Sequence, residues 1–440
     1  MSGASASIVS PPEADLATSP APTVAPGTAP GAAPGAAPAA APAPRMALRA
    51  GLLACGIVAM LCGLWGGLFR LGFDLPHAAN AAALHGALLI CGLFGTVIGL
   101  ERAVAFGRTW GYAAPACAAT GSALLLAGAP VPIGAAAYAM SAALLIAVTL
   151  VITSRQRTLF NATLAAGAVS WLAGTLLWAA GADVPDVAGW WIGFLVLTIA
   201  GERLELGRLM AKKRGSEFLF VAGVALLAAG AALTLTLTLG AAIYGAALLA
   251  LAVWLVRHDV VRHTIRQTGQ TRFMAACMAA GYLWLGIAGL LLIVMPPATS
   301  TFGYDAALHA VLIGFVLSMV FGHALIILPA VARVRIAYRP WLYLPLAVLH
   351  LAVALRVGGD ILAEDTVRAW SGPLTLAALL GFVGLIVGGI VRKRPTARAG
   401  AGTVTPAPDA SAAPPADRSA PSTRPHPAGW RGSAVRSLPR

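Results

Sequence analysis

Long apolar runs, broken at short intervals by polar, glycine or proline residues, organise the chain between residues 46 and 392. A hydrocarbon core about 30 Å thick is crossed by roughly 20 helical residues. Runs of about that length recur at 47 to 69, 78 to 100, 111 to 129, 134 to 153, 160 to 181, 188 to 209, 217 to 239, 241 to 256, 273 to 295, 306 to 328, 341 to 356 and 369 to 391. The pattern predicts an all-α integral membrane protein with about twelve transmembrane helices. The least marked division lies between the seventh and eighth runs, where only Gly240 separates LTLTLTL from AAIYGAALLALAVWLVR. An eleven-span count would put the two ends of the chain on opposite sides of the membrane.

Composition agrees with the pattern. Mean hydropathy is +0.82, and 10% of residues are charged, against roughly 25% in soluble domains. Residues 1–45 are near-repeats of Ala, Pro and Gly with too few large apolar groups to offset the entropy of ordering, and residues 393–440 are polar, basic and proline-rich; both read as disordered tails. The first lacks a basic start followed by an apolar core, so it is not a secretory signal, and Met46 offers an alternative start. A cationic second tail favours anionic lipid headgroups.

The net charge of +14 does not indicate a nucleic-acid partner, because the basic residues sit in short clusters between spans. Arg102 and Arg108, Arg155 and Arg157, Arg203 to Arg214, Arg257 to Arg272, Arg333 to Arg339, and Arg392 to Arg394 follow the even-numbered spans; the odd-numbered connections are neutral or mixed. Lys and Arg accumulate on the cytoplasmic side, so both termini are expected there. Trp110, Trp190, Trp191, Trp341 and Trp370 fall at predicted span ends, as an interfacial belt requires. The five cysteines lie in apolar runs with no CxxC or CxxCH, and read as small packing residues.

Ionisable groups within a bilayer are costly and are functional or hydrogen-bonded. By predicted depth, His85, His309 and His350 share a layer in the outer half, while His323 lies alone near the cytoplasmic side. Fourteen α-helical residues return to within about 40° of the same face and advance about 21 Å, so His309 and His323 would share a stripe. No second span repeats that pair, which disfavours two stacked haems. Two of the three outer histidines could grip one haem iron from different helices; each could equally hydrogen-bond a neighbouring helix. His258 and His263 belong to a basic connection and read as solvated.

Two spans end alike, IGLERAVAFGR and IAGERLELGR, placing Glu101-Arg102 and Glu202-Arg203 at the cytoplasmic boundary four spans apart; span ten, four further on, carries LH as span two does. This suggests three four-helix units. The charge pairs read as helix-end anchors, or as a proton entry or partner contact. Gly95 and Gly99, Gly189 and Gly193, and Gly384 and Gly388 have the spacing of close helix packing. No P-loop, HExxH or dinucleotide fingerprint is present, and scattered Ser, Asp and His give a hydrolase triad no support.

The stretches LHGALLICGLFGTVIGLERAVA, LTIAGERLELGRL and LHAVLIGFVLSMVFGHALIILPAV resemble the NnrS family of multi-helix membrane proteins, within the wider haem-copper oxidase architecture. The resemblance covers about residues 46 to 392. It implies haem, with copper as a second cofactor, a role in nitric oxide or respiratory-redox stress, an electron-transfer partner, and a place in the bacterial cytoplasmic membrane. Carried over, His85 and His309 are the first haem ligands, with His350 and His323 as alternatives for haem or copper. Spans six and seven lack the histidines of a binuclear copper centre, so gas reduction there is not expected, whereas a sensor, scavenger or electron carrier is. Arg356 would face a haem propionate or reach the headgroups. The competing expectation is a twelve-helix permease; Asn161, Ser170 and Ser318 are polar within spans, but no central carboxylate is evident.

Overall fold

The computed structural model describes residues 43–207, 214–300 and 302–390. Both expected tails, as well as Arg208, Lys212, Lys213 and Arg392 to Arg394, lie outside the described residues. Helices form wherever the apolar runs predicted them. They are α1 (Ala43–Arg70), α2 (Ala79–Phe106), α3 (Ala113–Leu126), α4 (Val131–Arg155), α5 (Leu159–Ala179), α6 (Val184–Leu206), α7 (Arg214–Ala232), α8 (Thr238–His258), α9 (Gly269–Val294), α10 (Gly303–Ala332), α11 (Tyr343–Leu362) and α12 (Asp365–Gly388). There is no β-strand among the described residues. Eleven of these helices are long and apolar enough to cross a membrane, making this a multi-pass membrane protein.

The short helix is α3, not the eighth run. Its α-helical part rises only about 21 Å, and the 3₁₀ turn Thr109–Tyr112 before it adds about 8 Å. Gly240 does not divide α7 from α8. The break comes earlier, at residues 233–237, and Gly240 sits in the first turn of α8, where an added Cβ would fall 1.8 Å from the Thr234 carbonyl oxygen. Only glycine permits that approach.

The centre of the bundle consists of every fourth helix. α2, α6 and α10 touch one another, while sequential neighbours pack around them, the arrangement expected of three four-helix units. Every residue of α6 from Trp191 to Gly201 is buried, and a helix buried on all sides needs an apolar surface all round. Trp171 of α5 stacks on Phe194 of α6, ring centres 4.9 Å apart. Gly95 leaves the space its indole fills, since a Cβ there would be 2.6 Å from the ring. Gly193 likewise faces Ser170, whose Oγ donates to the Trp190 carbonyl at 2.6 Å. Gly384, by contrast, faces open space, so the third glycine pair does not serve close packing.

The remaining polar residues of the spans also join helices. Ser318 Oγ donates to the Cys277 carbonyl at 2.7 Å, and Asn161 Nδ2 to that of Gln156 at 2.8 Å. Trp110, Trp341 and Trp370 are exposed near helix ends as expected, but Trp191 is fully buried and donates to Thr175 Oγ1 at 3.2 Å. All five cysteines are free.

Two displacements matter for the site. α11 runs to Leu362, six residues past its predicted end, because VGGDIL continues the helix instead of turning. Asp360 therefore lies inside a helix and is buried. His350, the eighth residue of α11, is about 18 Å from that end of the helix, whereas His85 and His309 are each the seventh residue of α2 and α10, about 9 Å in. The expected common layer of three histidines reduces to two.

Gly95→Val should strike Trp171 and destabilise the protein by about 1–3 kcal/mol, while Gly384→Val should leave it unchanged. Thermal unfolding of the two purified variants in the same detergent checks this contrast.

Candidate functional site

Charged and titratable side chains collect at the two ends of the central helices. The end bearing the arginine-rich connections is termed the basic end.

At the opposite end, His85 Nδ1 lies 3.0 Å from the Ala82 carbonyl and His309 Nδ1 lies 2.9 Å from that of Asp305. A carbonyl only accepts, so Nδ1 carries the proton in both rings and Nε2 keeps a lone pair. Metal-binding histidines are oriented by the same bond. The two rings are within electrostatic reach of each other. Each is followed closely by π-helix, Leu88–Phe94 in α2 and Ala310–Leu317 in α10. This conformation accounts for well under 1% of residues and concentrates at functional sites. Because the second π-segment lies between His309 and His323, the 100° per residue that put them on one stripe does not apply.

An ion network adjoins this pair. Arg356 holds Asp305 with two hydrogen bonds, the Nε one at 2.9 Å, and its Nε lies 3.3 Å from Asp360. Arg368 bonds Asp365 at 2.7 Å, lies 3.9 Å from Asp360, and covers the Phe302 ring at 4.8 Å. Arg356 is 9% exposed: it neither reaches the headgroups nor stands free for a propionate, because two carboxylates already answer it. Asp360, Asp305 and Arg368 escaped the sequence reading because GGDILAEDTVR and PPATSTFGYD look like connections.

His350 differs from the pair. Its Nδ1 accepts the Trp284 indole N–H at 3.0 Å, and its Nε2 is buried without a partner. An indole only donates, so the ring proton sits on Nε2 and no lone pair is left there.

At the basic end the two Glu-Arg motifs come together, which anchoring to the membrane surface would not require. Arg102 of α2 lies 3.6 Å from Glu202 of α6. Arg203 forms a two-pronged pair with Asp259, at 2.6 and 2.8 Å, and Tyr282 donates to the same carboxylate at 2.6 Å. His323 is not alone: its Nδ1 lies 2.7 Å from the Met319 carbonyl and its Nε2 is 3.5 Å from Arg203 Nη1. A guanidinium facing Nε2 opposes a metal cation there. Burial alone would push the Asp259 carboxyl up, but the Arg203 and Tyr282 hydrogen bonds and the Val261 N–H hold it below the usual carboxylate range. The lone acid in RHDVVRH, between flanking basic residues, was the available clue to Asp259. Glu101, Glu202, Glu205 and His323 line a cavity of about 720 Å³. His263 is exposed as expected, and His258 stacks on Trp254 with ring centres 4.7 Å apart.

Among the described residues no group of three or more His, Cys, Asp or Glu side chains could hold a metal ion. Twelve helices, three of them central, with one polar cluster at each end of that centre, define an all-α multi-pass membrane protein among the described residues. A family model described as a domain of unknown function, DUF8744, matches residues 49–391, and the chain belongs to that family. No curated protein and no solved structure matches the chain.

Breaking the buried pair by Arg203→Met or Asp259→Leu should cost about 3–5 kcal/mol, with much of the loss recovered in the double variant. Since the Asp259 carboxyl is held below its unfolded value of about 3.9, its contribution is full above that pH and is lost as pH falls through the lowered native value. Stability measured against pH should lose this acid limb in Asp259→Leu.

Proposed function

We propose that this is a haem-binding integral membrane protein in which His85 and His309 would hold the haem iron. The observation that carries the reading is what the two rings share: each is the seventh residue of a central helix, each has Nδ1 at a backbone carbonyl with Nε2 left open, and each precedes a π-segment, while His309 Nδ1 also lies 3.3 Å from Asp305 Oδ1. Two neutral imidazoles from different helices are the donor set that a six-coordinate haem takes. His350 and His323 fit the role less well, because Trp284 and Arg203 face the nitrogens a ligand would need. Copper has less support, since it would call for a larger group of donors than a pair.

When bound, haem would supply a one-electron couple and the capacity to bind a diatomic gas such as nitric oxide. The chain's own part is to orient the rings: the Nδ1–H bonds to Ala82 and Asp305 fix their tautomer and make Nε2 more basic. Charges beside the pair, Asp305 with Arg356 and Asp360 with Arg368, tune the local potential while remaining close to balanced. The basic connections support an orientation with both termini cytoplasmic, which puts this pair in the outer half of a bacterial cytoplasmic membrane. An electron carrier or gas sensor in NnrS-like stress chemistry fits these features.

A permease is the second reading, favoured by the charged cavity between central helices of repeated units, where transporters bind their solutes.

Protein purified in mild detergent after expression with haem supplied should show a Soret band and a reduced-minus-oxidised visible spectrum. His85→Ala and His309→Ala should each lose most of the bound haem, and His323→Ala and His350→Ala should retain it. Absence of the band in the wild-type protein would sink the haem reading in favour of transport.

A further inference from the structure

The cavity at the basic end is built by all three central helices, and the contacts between them run in one direction. Arg102 of α2 reaches Glu202 of α6, at 3.6 Å. Arg203 of α6 reaches His323 of α10, at 3.5 Å. His323 in turn is an electrostatic neighbour of Glu101 on α2. α2 thus presents Glu101 and Arg102 to the chamber, α6 presents Glu202 and Glu205, and α10 presents His323.

These groups are not answered equally. Glu202 has Arg102, and Asp259, behind the chamber wall, has Arg203, Tyr282 and the Val261 N–H. No hydrogen bond or ion pair holds the Glu101 carboxyl among the described residues, and the carboxyls facing it from α6 are Glu202 and Glu205. At the rim, Arg155 and Gln156 are exposed, so water reaches the chamber from the basic side. Arg102 also acts on Glu101 but is paired with Glu202, and Arg155 lies at the rim; a carboxyl within a membrane bundle that no cation bonds directly, beside a histidine and next to water, has the properties of a proton-relay group. The chamber does not suit a metal ion, since none of its side chains joins a metal-binding group of three and Arg203 opposes a cation at His323.

We infer that the chamber is a proton-exchange site, in which Glu101 takes a proton from water on the basic side and returns it there, with His323 setting the balance from α10. The step is a reversible proton transfer between water and a carboxylate, with no change of oxidation state. It is independent of haem, because Glu101 and His323 lie near the other end of α2 and α10 from His85 and His309.

Infrared titration of the full-length protein in lipid nanodiscs tests it. Wild-type protein should show a protonated-carboxyl C=O band that titrates with pH and shifts on transfer from H₂O to D₂O. Glu101→Gln should abolish that band, His323→Gln should move its midpoint by about one pH unit, and Glu217→Gln, on the exposed face of α7, should change nothing. If Glu101→Gln does not fold, Glu101→Asp should keep a titrating band at a shifted midpoint. A band that survives Glu101→Gln, fails to respond to D₂O, or keeps its midpoint in His323→Gln overturns the proposal. The same measurements on haem-free protein separate this outcome from that of the haem reading.

Discussion

A charge placed at the centre of a membrane helix costs about 2.5–3.5 kcal/mol even by the mildest scales, and the cost falls only when another side chain or the backbone answers it. This constraint sets the plan of the bundle. Arg203 is buried yet held by both oxygens of Asp259, and Arg356 is buried between Asp305 and Asp360. Neither arginine could stay in place without its acid. Where the acid comes from another segment, the pair also fixes how the segments approach. Asp259 ties the connection after α8 to α6 and α9, Asp305 ties the start of α10 to α11 through Arg356, and Asp360 faces Arg368 of α12.

Between the two ends the centre must pack without charge, and it does so by size. Glycines at α2 and α6 admit Trp171 and Ser170, and the Ser170 and Ser318 hydroxyls donate to carbonyls of neighbouring helices, although the Trp171 indole N–H and the Thr96 hydroxyl stay buried without a partner among the described residues. In lipid, such close packing and hydrogen bonding replace the hydrophobic drive between helices. α2 and α10 depart from regular α-helix at equivalent places. Irregular backbone of this kind is tolerated at membrane depth where protein encloses it, and both π-segments lie on the central helices.

The sequence carried the helices, because hydropathy registers every residue of a span, and it carried the meeting of α2 with α6, because their Glu-Arg motifs repeat at an offset of four helices. What it could not convey is where a charge finds its partner. Asp360 follows two glycines and looks like a turn, and Arg356 lies near a predicted span end and looks like an anchor; both belong to a buried network, since α11 continues past its predicted end and Arg356 finds Asp305, 51 residues away in the chain. Misplacing the end of α11 then misplaced His350, whose depth was measured from it. Gly240 misled in the other direction, marking a tight approach at the start of α8 and not a boundary.

The histidines show why depth and spacing were insufficient to sort ligands from structural rings. His85, His309 and His323 all donate Nδ1–H to a carbonyl three or four residues back, so helix geometry alone gives them the same tautomer. Their difference lies in what faces Nε2. At His323 it is the Arg203 guanidinium, a cation that Asp259 holds in position and that leaves no room for a second one. At His85 and His309 no protein donor takes the lone pair among the described residues. At His350 the Trp284 indole reverses the tautomer altogether. A residue type at a given depth is therefore compatible with three chemistries, and the choice among them is made by one neighbouring donor on another helix, the kind of contact that a linear pattern of apolar and polar residues does not encode.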